Sequence, residues 1–416
     1  MIMKTFALLF CTPVLVFSAV AQAPAKPKPT FEEALLAART PLTIVDGKLA
    51  GPGADLLAQA VASSRFVLLG EDHITREIPV FAAALCDLMH PDAYVVEAGP
   101  YATQYVDGLL RAPDRAARMA EHVQRYPEDM AFLNIRQENE MAAHCAAANP
   151  GLHLWGVDQE FLGAAEFLLH AMAETQNGPR ATAAIAEART AAHAAEVLAL
   201  ATGDPMKTWL LAAKPSEISV LQDAVNADGT AVTSDLLKEL VASRAIYLRG
   251  DSEANHQRAL LMKQHFLSRY RPLKAANPNA RVLFKFGDVH LEKGYNALNQ
   301  RDLGNLVAEM ADAEQTQSLH LFLYGAKGMH SLFGGYGKPM KQEAFVLNDT
   351  PDDWTNVAVA GLYPQQPGAK GTVYTIYDLR KLRFKRLDLP QRWRQLVFSY
   401  DLFVLAPETT AAEKIR

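Results

Sequence analysis

Cysteine is scarce in this sequence: Cys11, Cys86 and Cys145 are the only three, and none sits in a CxxC spacing. That arithmetic excludes a zinc ribbon. There is no HExxH pair, no Gly-x-Ser-x-Gly elbow, no phosphate loop and no dinucleotide fingerprint. A serine or cysteine nucleophile therefore has no support, nor does nucleotide chemistry. Positive charge is also in deficit, with a formal net charge of −5 and no basic stretch interleaved with aromatics. Such a chain does not neutralise phosphates, so nucleic acid is not an expected partner.

Long apolar runs are missing except at the start. Lys4, the apolar Phe6–Val20 run and the small-x-small choices Ala19-Val20-Ala21 or Ala21-Gln22-Ala23 read as a cleaved signal peptide over residues 1–23. The proline-rich residues 24–30 follow as an extended linker. A periplasmic or secreted destination is expected, with no transmembrane segment. In that compartment Cys86 and Cys145 either pair or remain two thiols buried in alanine-rich helices.

What the sequence does contain is a repeated strand-end pattern. Phe66-Val67-Leu68-Leu69 is a run buried on both faces, followed by Gly70-Glu71-Asp72-His73. Far downstream, Val282-Leu283-Phe284-Lys285-Phe286 leads into Gly287-Asp288-Val289-His290. With 24 glycines and 12 histidines in 416 residues, about 0.7 GxxH matches arise by chance, so the bare motif means nothing. Its placement after two buried strands is the signal, because open α/β sheets hold ligands at the carboxyl ends of their strands.

Two more short strands end in acids. Ala93–Val96 delivers Glu97, and the strand from Leu152 delivers Asp158. The alternation of strands and helices predicts a mixed, largely parallel α/β sheet flanked by helices, as one domain over residues 31–416. A helical insertion over about residues 164–268 forms either a cap over the strand ends or extra packing on one face. Within it, Asn255, Arg258 and Met262 share a helical face, which lets Arg258 bind a carboxylate or stabilise an oxyanion. A helix is also expected over 130–148, and loop-holding roles for Asp72 and Asp288.

These residues resemble a known family. Gly70-Glu71-Asp72-His73, Glu97, Arg136-Gln137-Glu138-Asn139, Trp155-Gly156-Val157-Asp158 and Asn299-Gln300-Arg301-Asp302-Leu303-Gly304 are similar, in order, to motifs of the erythromycin esterase-like proteins. Gly287-Asp288-Val289-His290 resembles the GxxH of the related Tiki, TraB and ChaN-like proteins, and lacks the first histidine of the esterases' His-Asn-x-His. The resemblance implies a hydrolase acting on an ester or peptide bond of a small molecule or peptide. Its catalytic set would be His73, Glu71, Glu97, Arg258 and His290. It further implies a divalent metal (zinc, manganese or iron) held by His73, Glu97, His290 and Asp158. The ChaN-like branch implies the alternative of a haem- or metal-binding uptake protein, with Tyr101, Tyr105 and the motif histidines as axial candidates.

Overall fold

The computed structural model describes residues 28–350, 353–365 and 370–416. The expected signal peptide lies outside the described residues, as does most of the linker. Among the described residues eleven strands follow in chain order: β1 (Arg39–Val45), β2 (Lys48–Ala50), β3 (Phe66–Glu71), β4 (Ala93–Val96), β5 (His153–Gly156), β6 (Val282–Gly287), β7 (Ser318–Gly325), β8 (Lys327–Leu332), β9 (Lys341–Val346), β10 (Thr372–Asp378) and β11 (Leu402–Ala406).

Nine of them form one sheet in the order β2-β1-β10-β11-β7-β3-β6-β4-β5, while β8 and β9 pair as a separate hairpin. From β11 to β5 every neighbour is parallel. The β10, β1 and β2 edge is antiparallel. The architecture is thus the mixed, largely parallel α/β sheet expected. The two GxxH strands, β3 and β6, are adjacent at its centre, with Glu71 opposite Gly287.

Period-two alternation sends successive side chains of each strand to opposite faces. Val67, Leu69, Leu283 and Tyr94 pack with the helices Glu77–Met89 and Arg136–Ala148 on one face. Phe66, Leu68, Val95, Phe284 and Phe286 pack with the helices Ser252–Ala276 and Leu303–Ala313 on the other. Both central strands are buried throughout, as a doubly covered strand must be.

Between β5 and β6 the chain is helical. The helices from Ala164–Ala173 to Ala231–Arg249 have an apolar core of their own, around Leu168, Ile185, Leu221 and Leu240. The last helix, Ser252–Ala276, packs Met262 and Phe266 onto the sheet. Among the described residues no helix is long and apolar enough to cross a membrane.

One expected helix is shorter than its pattern. Residues 130–135 are a loop, and helix begins only at Arg136. Phe132 there has φ 57°, a left-handed conformation that no helix accommodates. Cys86 and Cys145 form a disulfide, which joins the helices Glu77–Met89 and Arg136–Ala148.

Candidate active site

The same alternation that builds the core aims the acids. Glu71 has the parity of Val67 and Leu69, so it faces the helix Arg136–Ala148. Glu97 has the parity of Val95, so it faces the helix that carries Arg258. His73, just past the end of β3, lies between them. Its Nδ1 is 2.9 Å from Glu71 Oε1, and its Nε2 is 3.5 Å from Glu97 Oε2. The imidazole stacks on Phe132 with 4.3 Å between ring centroids.

Glu97 is the hub. Its Oε2 accepts from the Gly287 backbone N–H at 2.8 Å, and its Oε1 accepts from Arg258 Nη2 at 2.7 Å. His290 Nε2 lies 3.5 Å from the same Oε1. Arg258 makes a fork with Asp158, through Nε at 2.8 Å and Nη2 at 2.5 Å, and its Nη1 reaches His290 Nε2 at 3.2 Å. The bidentate geometry is what a guanidinium offers a carboxylate and a lysine does not. All six residues nominated from sequence (His73, Glu71, Glu97, Arg258, His290 and Asp158) therefore form one connected set.

Three partners were not nominated. Lys285 is buried in β6 and donates to Glu71 Oε1 at 2.6 Å and to Glu138 Oε1 at 2.7 Å. Asp302, the cap of the following helix, meets His290 Nδ1 at 2.8 Å. Phe132 supplies the stacking face. A lysine inside an otherwise apolar strand was the one legible signal, since a buried ammonium needs anions beside it. The loop acids serve differently from each other. Asp288 accepts from its neighbour Val289 N–H, whereas Asp72 lies 3.6 Å from His330.

Charge sets the protonation states. Burial opposes the His73 imidazolium, but hydrogen bonding to Glu71 and Glu97 outweighs it and raises His73 to about 10. Burial also opposes ionised Glu97, yet His290, His73 and Arg258 hold it well below the usual carboxylate range. For His290, burial is overcome by Glu97 and Asp302, with Arg258 opposing, and the net direction is upward. Lys285 is raised, because Glu138 and Glu71 outweigh its burial. Among the set, the His73 side chain is the most exposed at 27%, while Glu71, Glu97 and His290 are nearly sealed.

The expected metal site is not assembled by these donors. Glu97, Asp158 and His290 all contact the Arg258 guanidinium, so the cation they surround is the arginine. His73 has its Nδ1 on Glu71. Among the described residues no three or more His, Cys, Asp or Glu side chains are arranged to hold a metal ion. As arranged, the residues do not fit one. Of the tyrosines named as haem candidates, Tyr105 stacks on His122, and Tyr101 packs against the helical core, its backbone N–H on Glu160.

No family model and no curated protein matches the sequence. Solved structures do match. A histidine-to-asparagine variant of the erythromycin esterase EreC, in its open conformation, superposes with a TM-score of 0.58 at 13% identity, covering 91% of this chain and 100% of that one. The chain shares its fold with an erythromycin esterase. A Bacillus cereus protein superposes with a TM-score of 0.56 at 10% identity, covering 92% of this chain and 98% of that one. A succinoglycan biosynthesis protein gives 0.56 at 12% identity, covering 92% and 97%. The erythromycin esterase-like fold read from the GxxH strands is borne out. At these identities the likeness is one of fold.

Proposed function

We propose that this chain is a hydrolase that activates water with His73 to cleave an ester or peptide bond. The observation that carries the reading is the Glu71–His73–Glu97 arrangement, with the one partly exposed ring of the site held between two buried carboxylates. A base oriented through its second nitrogen by a carboxylate is the recurring arrangement for taking a proton from water. The fold neighbour that bears the name erythromycin esterase supports the hydrolase class.

In this mechanism the Nδ1–H of His73 donates to Glu71, which Lys285 holds in place from behind with Glu138. Neutral Nε2 accepts a proton from water as the water attacks the carbonyl. The imidazolium then returns that proton to the leaving group. Arg258 and His290 supply the positive side of the site, where negative charge develops in the transition state. A periplasmic or secreted destination remains part of the proposal, and the Cys86–Cys145 pair supports it, since such bonds persist in oxidising compartments.

The test is a panel of esters and peptides assayed with the wild type and with His73→Ala. Loss of about 10²–10⁴ in kcat/KM is expected, the range a positioned acid–base group contributes. Undiminished turnover in a folded His73→Ala protein removes the reading. Activity is expected to survive dialysis against a chelator. Loss on chelation, with recovery on zinc, manganese or iron, would return the site to metal-assisted chemistry.

A further inference from the structure

The two backbone segments that hold the His73 ring are both in left-handed conformations at residues other than glycine. Ile74, directly after His73, has φ 68°, and Phe132, on which the ring stacks, has φ 57°. A β-branched residue at positive φ is a conformational outlier that persists only when its surroundings impose it. One short stretch of chain contacts both segments. Thr75 bridges antiparallel to Ala411, and Ile135 bridges antiparallel to Lys414. Ile74 O accepts from Ala412 N at 3.3 Å and from Ser331 N at 3.1 Å, while Arg76 N donates to Thr410 O at 3.0 Å. On the other side, Ile415 N donates to Asn134 O at 2.8 Å and Arg136 N to Glu413 O at 2.7 Å. Lys414 Nζ adds Pro127 O at 2.8 Å and Glu128 at 2.9 Å.

We propose that residues 409–415 are a positioning strap for His73, tying the loop that carries the imidazole to the loop that carries its stacking partner. The proposal rests on His73 being the reactive group of the site. The strap touches no reacting atom. It imposes the backbone of Ile74 from one edge and that of residues 134–136 from the other, and so fixes the ring between Phe132 and the two carboxylates. Ala411 and Ala412 are buried, and their contacts to Thr75 and Ile74 run through the backbone.

The experiment is labelling of the full chain with diethyl pyrocarbonate, mapped histidine by histidine by peptide mass spectrometry. Ala412→Pro deletes one of the two N–H groups from which Ile74 O accepts, the one supplied by the strap. It is expected to label His73 about tenfold faster than wild type by local opening, while the fully buried His320 stays protected. Adding Ile74→Gly, which adopts positive φ without a Cβ clash, is expected to bring His73 labelling most of the way back. Wild-type labelling of His73 in Ala412→Pro, or His73 and His320 rising together, overturns the strap. Should Ala412→Pro not fold, Lys414→Met removes only the tether to Pro127 and Glu128. A smaller rise at His73 is then expected, and no rise overturns the proposal. The readout is exposure of the ring, so it stands apart from turnover: a strapped His73 in a protein that hydrolyses nothing overturns the hydrolase reading alone.

Discussion

An imidazole with a carboxylate at each nitrogen is a different reagent from a free one. With His73 raised to about 10, the neutral form that accepts a proton grows as pH rises toward that value, so kcat/KM is expected to climb through the alkaline range. Glu97→Gln removes the negative charge 3.5 Å from Nε2. The rising limb should then move to lower pH by roughly 1–3 units, the size of effect an adjacent opposite charge has. A limb that stays in place would show that His73 is not the titrating base. The same shift carries a stability sign. A pKa raised on folding stabilises fully below the unfolded value and is lost as pH rises through the folded one. Wild-type stability should therefore fall as pH climbs from about 6.5 to 10, and Glu97→Gln should flatten that fall.

At the scale of elements, alternation along short strands decides which way each group points, and Gly287 shows how little tolerance is left. A Cβ at Gly287 would meet His73 Nε2 at 2.8 Å and Glu97 Oε2 at 3.4 Å, so an added methyl must push the imidazole aside. The backbone there, at φ −51° and ψ 136°, suits any residue. Gly287→Ala should therefore fold with a nearly unchanged melting temperature and lose activity by about 10²-fold, as a base misplaced by about an ångström does. Equal activity would mean that the ring does not work from this position.

Much of this was legible in the sequence. The apolar runs ending in Glu71, His73, Glu97 and His290 read correctly because a doubly covered strand has a strong pattern and its end is where polar groups begin. The turn between β1 and β2 at Asp46-Gly47 and the Thr30–Glu33 capping box are likewise set by local chemistry. The rest depended on contacts distant in sequence. Lys285 looks like a flaw in a strand until Glu71 and Glu138 are brought beside it. Phe132 was absorbed into a helical pattern that its positive φ interrupts. The β1–β10 pairing joins segments from opposite ends of the chain, and nothing local announces it.

Over the whole molecule, the site is held by packing from both faces of the sheet, and one covalent link ties the face behind Glu71 together. Cys86 lies on the helix that follows His73, and Cys145 on the helix that presents Glu138 to Lys285. Their bond closes a loop with a sequence separation of 59, for which lost chain entropy in the unfolded state corresponds to about 4 kcal/mol. Both sulfurs are sealed in the apolar core, so two serines in their place add the cost of buried hydroxyls. The Cys86→Ala/Cys145→Ala pair avoids that cost and isolates the crosslink. It should lower unfolding stability by about 2–4 kcal/mol, read as a reduced denaturant midpoint with a steeper slope, since the chain without its crosslink unfolds to a less compact state. Wild-type protein exported to an oxidising compartment should show no free thiol when unfolded without reductant. An unchanged midpoint would show that the bond does not stabilise the fold, and two thiols titrating in exported protein would break the link drawn between this bond and a destination outside the cytoplasm. If the midpoint falls and the thiols are absent, the helix that presents Glu138 to Lys285 depends on the compartment in which the chain folds.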